Sequence, residues 1–447
     1  MVRILRLDQM TSAELSSLKR RAELDIEKAL TVAKEAIDKI RQQSDGGVLE
    51  YVRKFDFPEA QLDNLKVRDR EFAAAREAID PEIKSAISQA FANIREVHQG
   101  QMPEEMRLAE VDTGVFAGEK VTPVASAGLY VPRGKGAFPS VMLMLTVPAM
   151  VAGVQKVIVC TPPDKRGNVE PASLVAAEMA GVKDIYKLGG IQAIAAMALG
   201  TETIPKVDKI TGPCNIYGSA AKRLLYGTVD VGLPAGPSES IILTDEHTDP
   251  QLAALDLLIE AEHGPDSAAL LVTHSEAVAR KAAEYVPNYL KKLPDWRREF
   301  CEASLSSYGG ILLTSSLAES IAFVNDYAPE HLEVLVKDPF SIIGQIKNAG
   351  EILLGRYTPI PTANYCLGVN AILPTGGFAR SYSAVSVWDF LKRSGIGYLT
   401  KEGFDRLQHT TQTLADYEGF PAHAMAIRER ENLLKKGPIR IKSLPER

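Results

Sequence analysis

Apolar positions recur along this 447-residue chain in two rhythms, and the rhythm changes near residue 112. Over the first hundred residues the spacing is helical. Thr11 with Glu14 forms a capping box that opens a long charged helix running to about Gln43, and Asp80-Pro81 starts another that ends near Gly100. From about 112 the segment VFAGEKVTPVASAGLYVP reads as strands. KVIVC, DIYKL and KVDKITG are short apolar runs separated by helical stretches such as PASLVAAEMAG and IQAIAAMALG. Strand and helix alternating at this spacing predict right-handed crossovers and a doubly wound parallel sheet covered on both faces. ESIILTD, SAALLVT and GGILLT predict a second sheet, and beyond about 385 the pattern turns helical through VWDFLKR and FDRLQHTTQTLADYEGFPAHAMAIRER. The tail KKGPIRIKSLPER is basic and expected to be loose.

Composition narrows the function classes. The chain is 45% hydrophobic and 24% charged, ordinary for a soluble protein of two or three domains, and its net charge of -6 argues against nucleic acid or an anionic membrane as partner. A small molecule is the expected partner. Residues 136–155 are uncharged over a length that could span a bilayer, but the run contains Pro148 and leads into KVIVCTPP, so a helix packed on a sheet explains it better. Cys160, Cys214, Cys301 and Cys366 form no CxxC pair, which fits a reducing, cytoplasmic setting, and the amino-terminal stretch has no apolar run of signal-peptide length. GLYVPRGKG (128–136) resembles a phosphate loop. It has five residues between its first two glycines, and Gly136 where a cation-binding hydroxyl is needed, which excludes nucleoside-triphosphate chemistry.

Three of the seven histidines stand in unusual settings. In IEAEHGPD, a helix capped by Asp249 and Pro250 is expected to run to a left-handed Gly264, with Asp256, Glu260 and His263 on one face. A carboxylate and an imidazole at that spacing suit either one shared cation or a solvated helix end. In YAPEHLEV, Pro329 is expected to begin a helix with Glu330 and His331 at its N-terminus, where the imidazole pKa is lowered. Such a pair is an acid–base candidate or a capped helix start. His423 stands in EGFPAHAM, whereas His98, His247, His274 and His409 read as surface or structural residues.

The ordered blocks GLYVP (128–132), GGIQAIAAMALGTETIPKVDKITGPCN (189–215), PAGPSE (234–239), EAEHGPDS (260–267), YAPEHLEV (327–334), NAILPTGG (370–377) and PAH (421–423) resemble those of the histidinol dehydrogenases. The resemblance implies an α/β fold of two Rossmann-like doubly wound domains with small helical N- and C-terminal extensions. The corresponding boundaries are an arm at 1–24, a discontinuous first domain at 25–127 and 238–385, a second at 128–237, and a dimerisation region at 386–447. It also implies an intertwined homodimer that uses NAD and zinc to oxidise an amino alcohol through its aldehyde to a carboxylate. Glu330 and His331 fall on the family's catalytic acid–base pair. His331 would take the proton of the substrate hydroxyl, and Glu330 would activate water. Tyr130, Gln192 and Asn215 fall on NAD contacts, Ser238 on a substrate contact, and Glu418 on a residue reaching the partner subunit's site.

Several positions depart from the family pattern. Where the family holds zinc with glutamine, histidine, aspartate and histidine, this chain has Glu260, His263, Asn364 and His423. Two near-isosteric exchanges move the single negative charge across the site, so zinc is expected to remain bound, with Glu260 as the anionic ligand and Asn364 a weak one. The zinc residues and His331 also belong to the expected substrate pocket. Cys214 stands where relatives usually have glycine, which is expected to tighten the cofactor space. Ile360 stands where the family carries a glutamate for the substrate ammonium, and Ala371 replaces a histidine. The loss of a charge-assisted hydrogen bond points to a zinc- and NAD-dependent dehydrogenase of another small alcohol. A genuine L-histidinol dehydrogenase is the second reading, and a non-catalytic NAD- or metal-binding paralogue the third.

Overall fold

The computed structural model describes residues 2–21, 26–133 and 136–435. The expected loose tail, from 436 onward, lies outside the described residues, as do two positions of the GLYVPRGKG stretch. The chain forms two compact units, Met1–Met102 with Pro123–Leu391, and Pro103–Thr122 with Lys392–Arg447.

In the first unit, a four-stranded parallel sheet has the spatial order Ile185–Tyr186, Lys156–Cys160, Ser126–Tyr130, Lys209–Thr211. Alternation along the strands feeds two cores. Ala127, Leu129, Val157 and Val159 face the helices Pro139–Val151 and Pro171–Met179, whereas Tyr130, Ile158 and Cys160 face Gly190–Leu199 and Ile216–Leu225. Burial on both faces explains why these strands read as unbroken apolar runs. The uncharged stretch near 136–155 is the buried helix Pro139–Val151, and among the described residues no helix is long and apolar enough to cross a membrane.

A six-stranded parallel sheet, also in the first unit, has the order Ile4–Arg6, Gly310–Leu313, Ala268–Thr273, Glu239–Thr244, His331–Val334, Glu351–Leu354. Ile242, Leu271, Ile311 and Leu353 pack under one set of helices, and Ile241, Leu270, Leu312 and Leu332 under the other. Polar side chains interrupt this double core at Glu239, Ser240, His331, Glu333 and Glu351, all buried. These are the positions from which the site is built.

Local differences from the sequence expectations have identifiable causes. The amino-terminal arm begins with a strand, Ile4–Arg6, paired in parallel with Gly310–Leu313. The capping box of Thr11 and Glu14 is present, but it opens only Ser12–Arg20, because Arg21 adopts φ 60; a separate helix spans Ile26–Gln43. Pro81–Gly100 follows the expected bounds. VWDFLKR is not an α-helix: Val387–Phe390 is a 3-10 turn and Leu391–Leu399 a strand, in a three-stranded sheet with Val115–Pro123 and Met106–Asp112. Gly395 and Gly397 disfavour a helix there, while a sheet neighbour satisfies their backbone. The second unit is completed by the helices Lys401–Tyr417 and Pro421–Lys435.

Candidate active site

Three adjacent strands of the six-stranded sheet begin at one edge, and the register places His331 opposite Ser240 on one side and Glu351 on the other. The imidazole Nδ1 lies 2.5 Å from Glu351 Oε1, while Nε2 lies 3.7 Å from Glu330 Oε1 and 3.9 Å from Glu260 Oε1. All four side chains are buried. Burial opposes a charge on His331, but Glu260, Glu330 and Glu351 together outweigh it and lift its pKa to about 10. Glu330 is held by the backbone N–H of Glu239, which donates to its Oε2 over 2.8 Å. Burial, with the charges of Glu260 and Glu239 nearby, pushes the Glu330 carboxyl well above the usual range. The Glu260 carboxyl goes the other way: burial would raise it, yet His263 and His331, with the Asn364 amide, hold it below its ordinary value. Two nearby carboxyls are thereby driven apart, the neutral form favoured at Glu330 and the ionised form at Glu260.

The expected helix start at Pro329 is absent. Leu317–Tyr327 ends on Ala328 in the left-handed conformation, and His331 opens a strand. No helix N-terminus acts on the imidazole, and the carboxylates around it reverse the expected direction of its pKa.

Glu260 and His263 also reach each other differently from the expectation. The helix is Pro250–Asp256, capped by Asp249 as predicted; a turn follows, and Ala261–His263 is a separate 3-10 segment. Gly264 has φ 176, an extended rather than left-handed residue. The side chains still converge, with His263 Nε2 3.6 Å from Glu260 Oε2. Asn364, from the short helix Ile360–Tyr365, donates Nδ2 to Glu260 Oε1 over 3.2 Å, and Ser238 Oγ lies 3.2 Å from His263 Nδ1. Glu260 Oε2 is buried without a hydrogen bond. An ionised, fully buried oxygen lacking a donor and facing an imidazole nitrogen is a fitting site for a small cation, so this donor set suits zinc. Asn364 would have to turn its amide to offer oxygen. His423 and Glu418 belong to the second unit, Glu418 capping the end of Lys401–Tyr417 and His423 standing in the first turn of Pro421–Lys435, both exposed.

The other expected residues gather at the four-stranded sheet. Tyr130 closes the strand Ser126–Tyr130, and Asn215 follows the adjacent strand Lys209–Thr211. Sheet order reverses between those two strands, and such a reversal opens a crevice at their carboxyl ends. Gly190 N–H donates to the Tyr130 hydroxyl over 3.0 Å, and Gln192 Nε2 to Asp56 Oδ2 over 2.8 Å, so both side chains brace the glycine turn that starts Gly190–Leu199. Exposed Asn215 caps Ile216–Leu225 by accepting from Tyr217 and Gly218. Cys214 lies 3.5 Å from the Ser219 hydroxyl and against Gly218, where an added Cβ would stand 2.7 Å from Cys214 Cβ.

Sequence reasoning missed Glu351, Glu239 and Asp56. Glu351 and Glu239 each open an otherwise apolar buried strand, and an acid in such a place was the available signal. Arg21, 3.2 Å from Glu239 and stacked over Tyr327, left no trace in the pattern.

An α/β protein with a switch-point crevice and a buried Glu–His centre is the frame of a cofactor-dependent enzyme. The family described as histidinol dehydrogenase matches residues 19–431. A histidinol dehydrogenase of Synechocystis sp. is 66% identical over 97% of this chain and 100% of its own length. A histidinol dehydrogenase homolog of Cereibacter sphaeroides is 49% identical over 94% of this chain and 96% of its own. The crystal structure of histidinol dehydrogenase from Elizabethkingia anophelis superposes with TM-score 0.91 at 34% identity, covering 97% of this chain and 99% of that one. The chain is an oxidoreductase and belongs to the histidinol dehydrogenase family.

The expectation of a different alcohol is corrected by this result. Identity of 66% over the whole length of a histidinol dehydrogenase favours the second reading, a genuine histidinol dehydrogenase. The argument from Ile360 also fails on geometry. Its side chain is 0% exposed and packs with Leu257, Leu335 and Leu353 in the core, so no ligand ammonium faces it.

Proposed function

We propose that this chain is an NAD- and zinc-dependent L-histidinol dehydrogenase that oxidises the amino alcohol through its aldehyde to the carboxylate. The full-length similarity to the Synechocystis histidinol dehydrogenase carries the reading. The chemistry of the site supports it. Glu260, Glu330 and Glu351 surround one imidazole, an excess of carboxylates that suits a cationic amino alcohol. In this reading Glu260, His263, Asn364 and His423 hold zinc, and Ser238 and Glu418 contact substrate. Tyr130, Gln192 and Asn215 shape the NAD crevice.

Zinc held by these residues would supply a positive charge to orient the substrate and stabilise developing oxygen charge, and NAD in the crevice would supply the hydride acceptor for each oxidation. In its neutral form, which its raised pKa makes the minor one in the unliganded site, His331 takes the proton that leaves the hydroxyl as the carbon–hydrogen bond breaks. Glu351, bonded to Nδ1, fixes the ring so that Nε2 faces Glu330 and Glu260. In the second oxidation the ionised form of Glu330, made a stronger base by its raised pKa, receives a proton from the water that adds to the aldehyde, and the buried setting excludes competing water. Glu330 is poised by the Glu239 N–H.

The reading is tested by following NAD reduction with L-histidinol, zinc and the full chain. Turnover abolished by chelation and restored by zinc is expected. Silence with histidinol, while NAD still binds, would overturn it.

A further inference from the structure

Arg21 is buried where the amino-terminal arm leaves the helix Ser12–Arg20, and it takes no part in the chemistry above. Its backbone has φ 60 and ψ -151, a conformation that residues other than glycine rarely adopt and that persists only where surrounding contacts hold it. The guanidinium makes those contacts. Cζ lies over the Tyr327 ring, 3.8 Å from its centroid, while Nη2 donates to the Tyr327 carbonyl and lies 3.4 Å from that of Ala328. Nε stands 3.2 Å from Glu239 Oε2, a buried ion pair without the alignment of a hydrogen bond. The other oxygen of Glu239 accepts from the Gly376 N–H at 2.6 Å. A Cβ added at Gly377 would come within 3.3 Å of Arg21 Nη1, so the glycine turn of NAILPTGG closes over the guanidinium.

Both groups that Arg21 holds lead to Glu330. Tyr327 ends the helix Leu317–Tyr327, and the last carbonyls of a helix have no partner within it, so a guanidinium there satisfies them. Ala328 follows in the left-handed conformation, then Pro329 and Glu330, and the path of the chain into Glu330 is set at the carbonyls that Arg21 binds. From the other side, the Glu239 N–H holds Glu330 Oε2 over 2.8 Å. We propose that Arg21 is a positioning residue for Glu330: one guanidinium fixes the helix end from which Glu330 departs and offsets the charge of the residue whose N–H holds its carboxyl. The inference rests on the reading of Glu330 as the base of the second oxidation. The clamp itself is read from the contacts of Arg21 and stands apart from turnover.

The residue type matches the task. A planar fork stacks on a ring, donates to carbonyls and faces a carboxylate at once, whereas a lysine offers one point charge on a flexible stem. Burial lifts the Glu239 carboxyl to about 7, and the Arg21 charge opposes that lift. Without the guanidinium, Glu239 would be a buried acid lacking a counter-charge, and the strand end that presents its N–H would rearrange or take up a proton.

The test uses the full chain as wild type, Arg21→Gly and Arg21→Lys, with Glu330→Gln as reference. Glycine tolerates φ 60, so Arg21→Gly removes the side chain without straining the backbone. Amide hydrogen exchange read by mass spectrometry reports the clamp without metal or cofactor. In Arg21→Gly, peptides covering 327–330 and Glu239 should exchange at least about tenfold faster, with the strands Ala268–Thr273 and Gly310–Leu313 unchanged. A uniform rise across the sheet, or no rise, would overturn the positioning role. In turnover, Arg21→Gly should slow oxidation of the aldehyde by roughly tenfold and of the alcohol by less than about threefold, lowering the NADH formed per histidinol consumed. Arg21→Lys, which keeps a charge beside Glu239, should fall between Arg21→Gly and wild type. Equal loss in the two oxidations would overturn the proposal. If Glu330→Gln spares the aldehyde step, it is the reading of Glu330 that fails, and if wild type is silent with histidinol it is the proposed function; in either case the exchange comparison decides the clamp alone.

Discussion

Asn364 donates its side-chain amide to Glu260 across 104 residues of sequence, at 3.2 Å. The amide and the carboxylate occupy neighbouring places around one buried, unbonded oxygen, so the negative charge of the cluster resides on Glu260. Replacing Glu260 by glutamine removes that charge and should weaken zinc binding by roughly 10- to 100-fold. The double variant Glu260→Gln with Asn364→Asp returns the charge on the opposite side and should recover most of the affinity. Zinc competition measures both. Unchanged affinity in Glu260→Gln would show that the anion is not a ligand.

His331 and Glu330 are expected to separate by step. His331→Asn should lower kcat by about 10²- to 10⁴-fold with little change in KM for histidinol. Glu330→Gln should spare the first oxidation more than the second, so the ratio of NADH formed to histidinol consumed falls by about half. Steady-state rates with product analysis check both, and equal loss in the two steps would refute the division.

Ile360 is packed without exposure in the core with Leu257, Leu335 and Leu353. Ile360→Glu would bury a carboxyl among apolar side chains and should destabilise the fold by roughly 3 kcal/mol or more. Ile360→Val should cost about 0.5–1.5 kcal/mol. Denaturant unfolding of the metal-free chain distinguishes them; a Glu variant as stable as the Val variant would place the side chain outside the core.

His98 is buried, and its Nδ1 lies 2.7 Å from the carbonyl of Ile94. Burial lowers its pKa against the opposing pull of that carbonyl. A histidine with a depressed folded pKa must charge in the unfolded chain first, so its stability is present above about pH 6.5 and is lost as pH falls through the folded value. His98→Gln should flatten the fall in melting temperature between roughly pH 6.5 and roughly pH 5. A profile parallel to wild type would show that His98 contributes nothing to it.

The second unit exposes Leu414, Tyr417, Phe420, Met425, Leu433 and Leu434. Apolar residues in such number on two helices suit an association surface, in line with the homodimer that the family resemblance implies. Sedimentation velocity should give a dimer, and Leu414→Glu with Tyr417→Glu should yield monomer with reduced turnover. A wild-type chain that sediments as a monomer would contradict the assembly.

Much of the architecture was legible because burial on both faces writes itself as short apolar runs. The strands Lys156–Cys160, Glu239–Thr244, Ala268–Thr273 and Gly310–Leu313 were visible in that way. The reading failed where a local signal had two outcomes. Pro329 fits a helix start, but the left-handed Ala328 ends the preceding helix and sheet pairing claims His331. Gly264 fits a helix cap, but the helix stops at Asp256. VWDFLKR has helical spacing, but the glycines beyond it favour the strand.

Sequence alone determined the parallel α/β class, the family, and which chemical groups are available: Glu260, His263, Glu330, His331, Asn364. Those properties depend on periodicity and residue type, which are local. Only the tertiary structure decided that His331 lies against Glu351, that Glu330 hangs from the N–H of Glu239, and that Ile360 turns into the core. These relations depend on strand register between segments far apart in the chain. Electrostatic shifts follow distance in space, so the histidine whose pKa was expected to be lowered has it raised by the carboxyls around it.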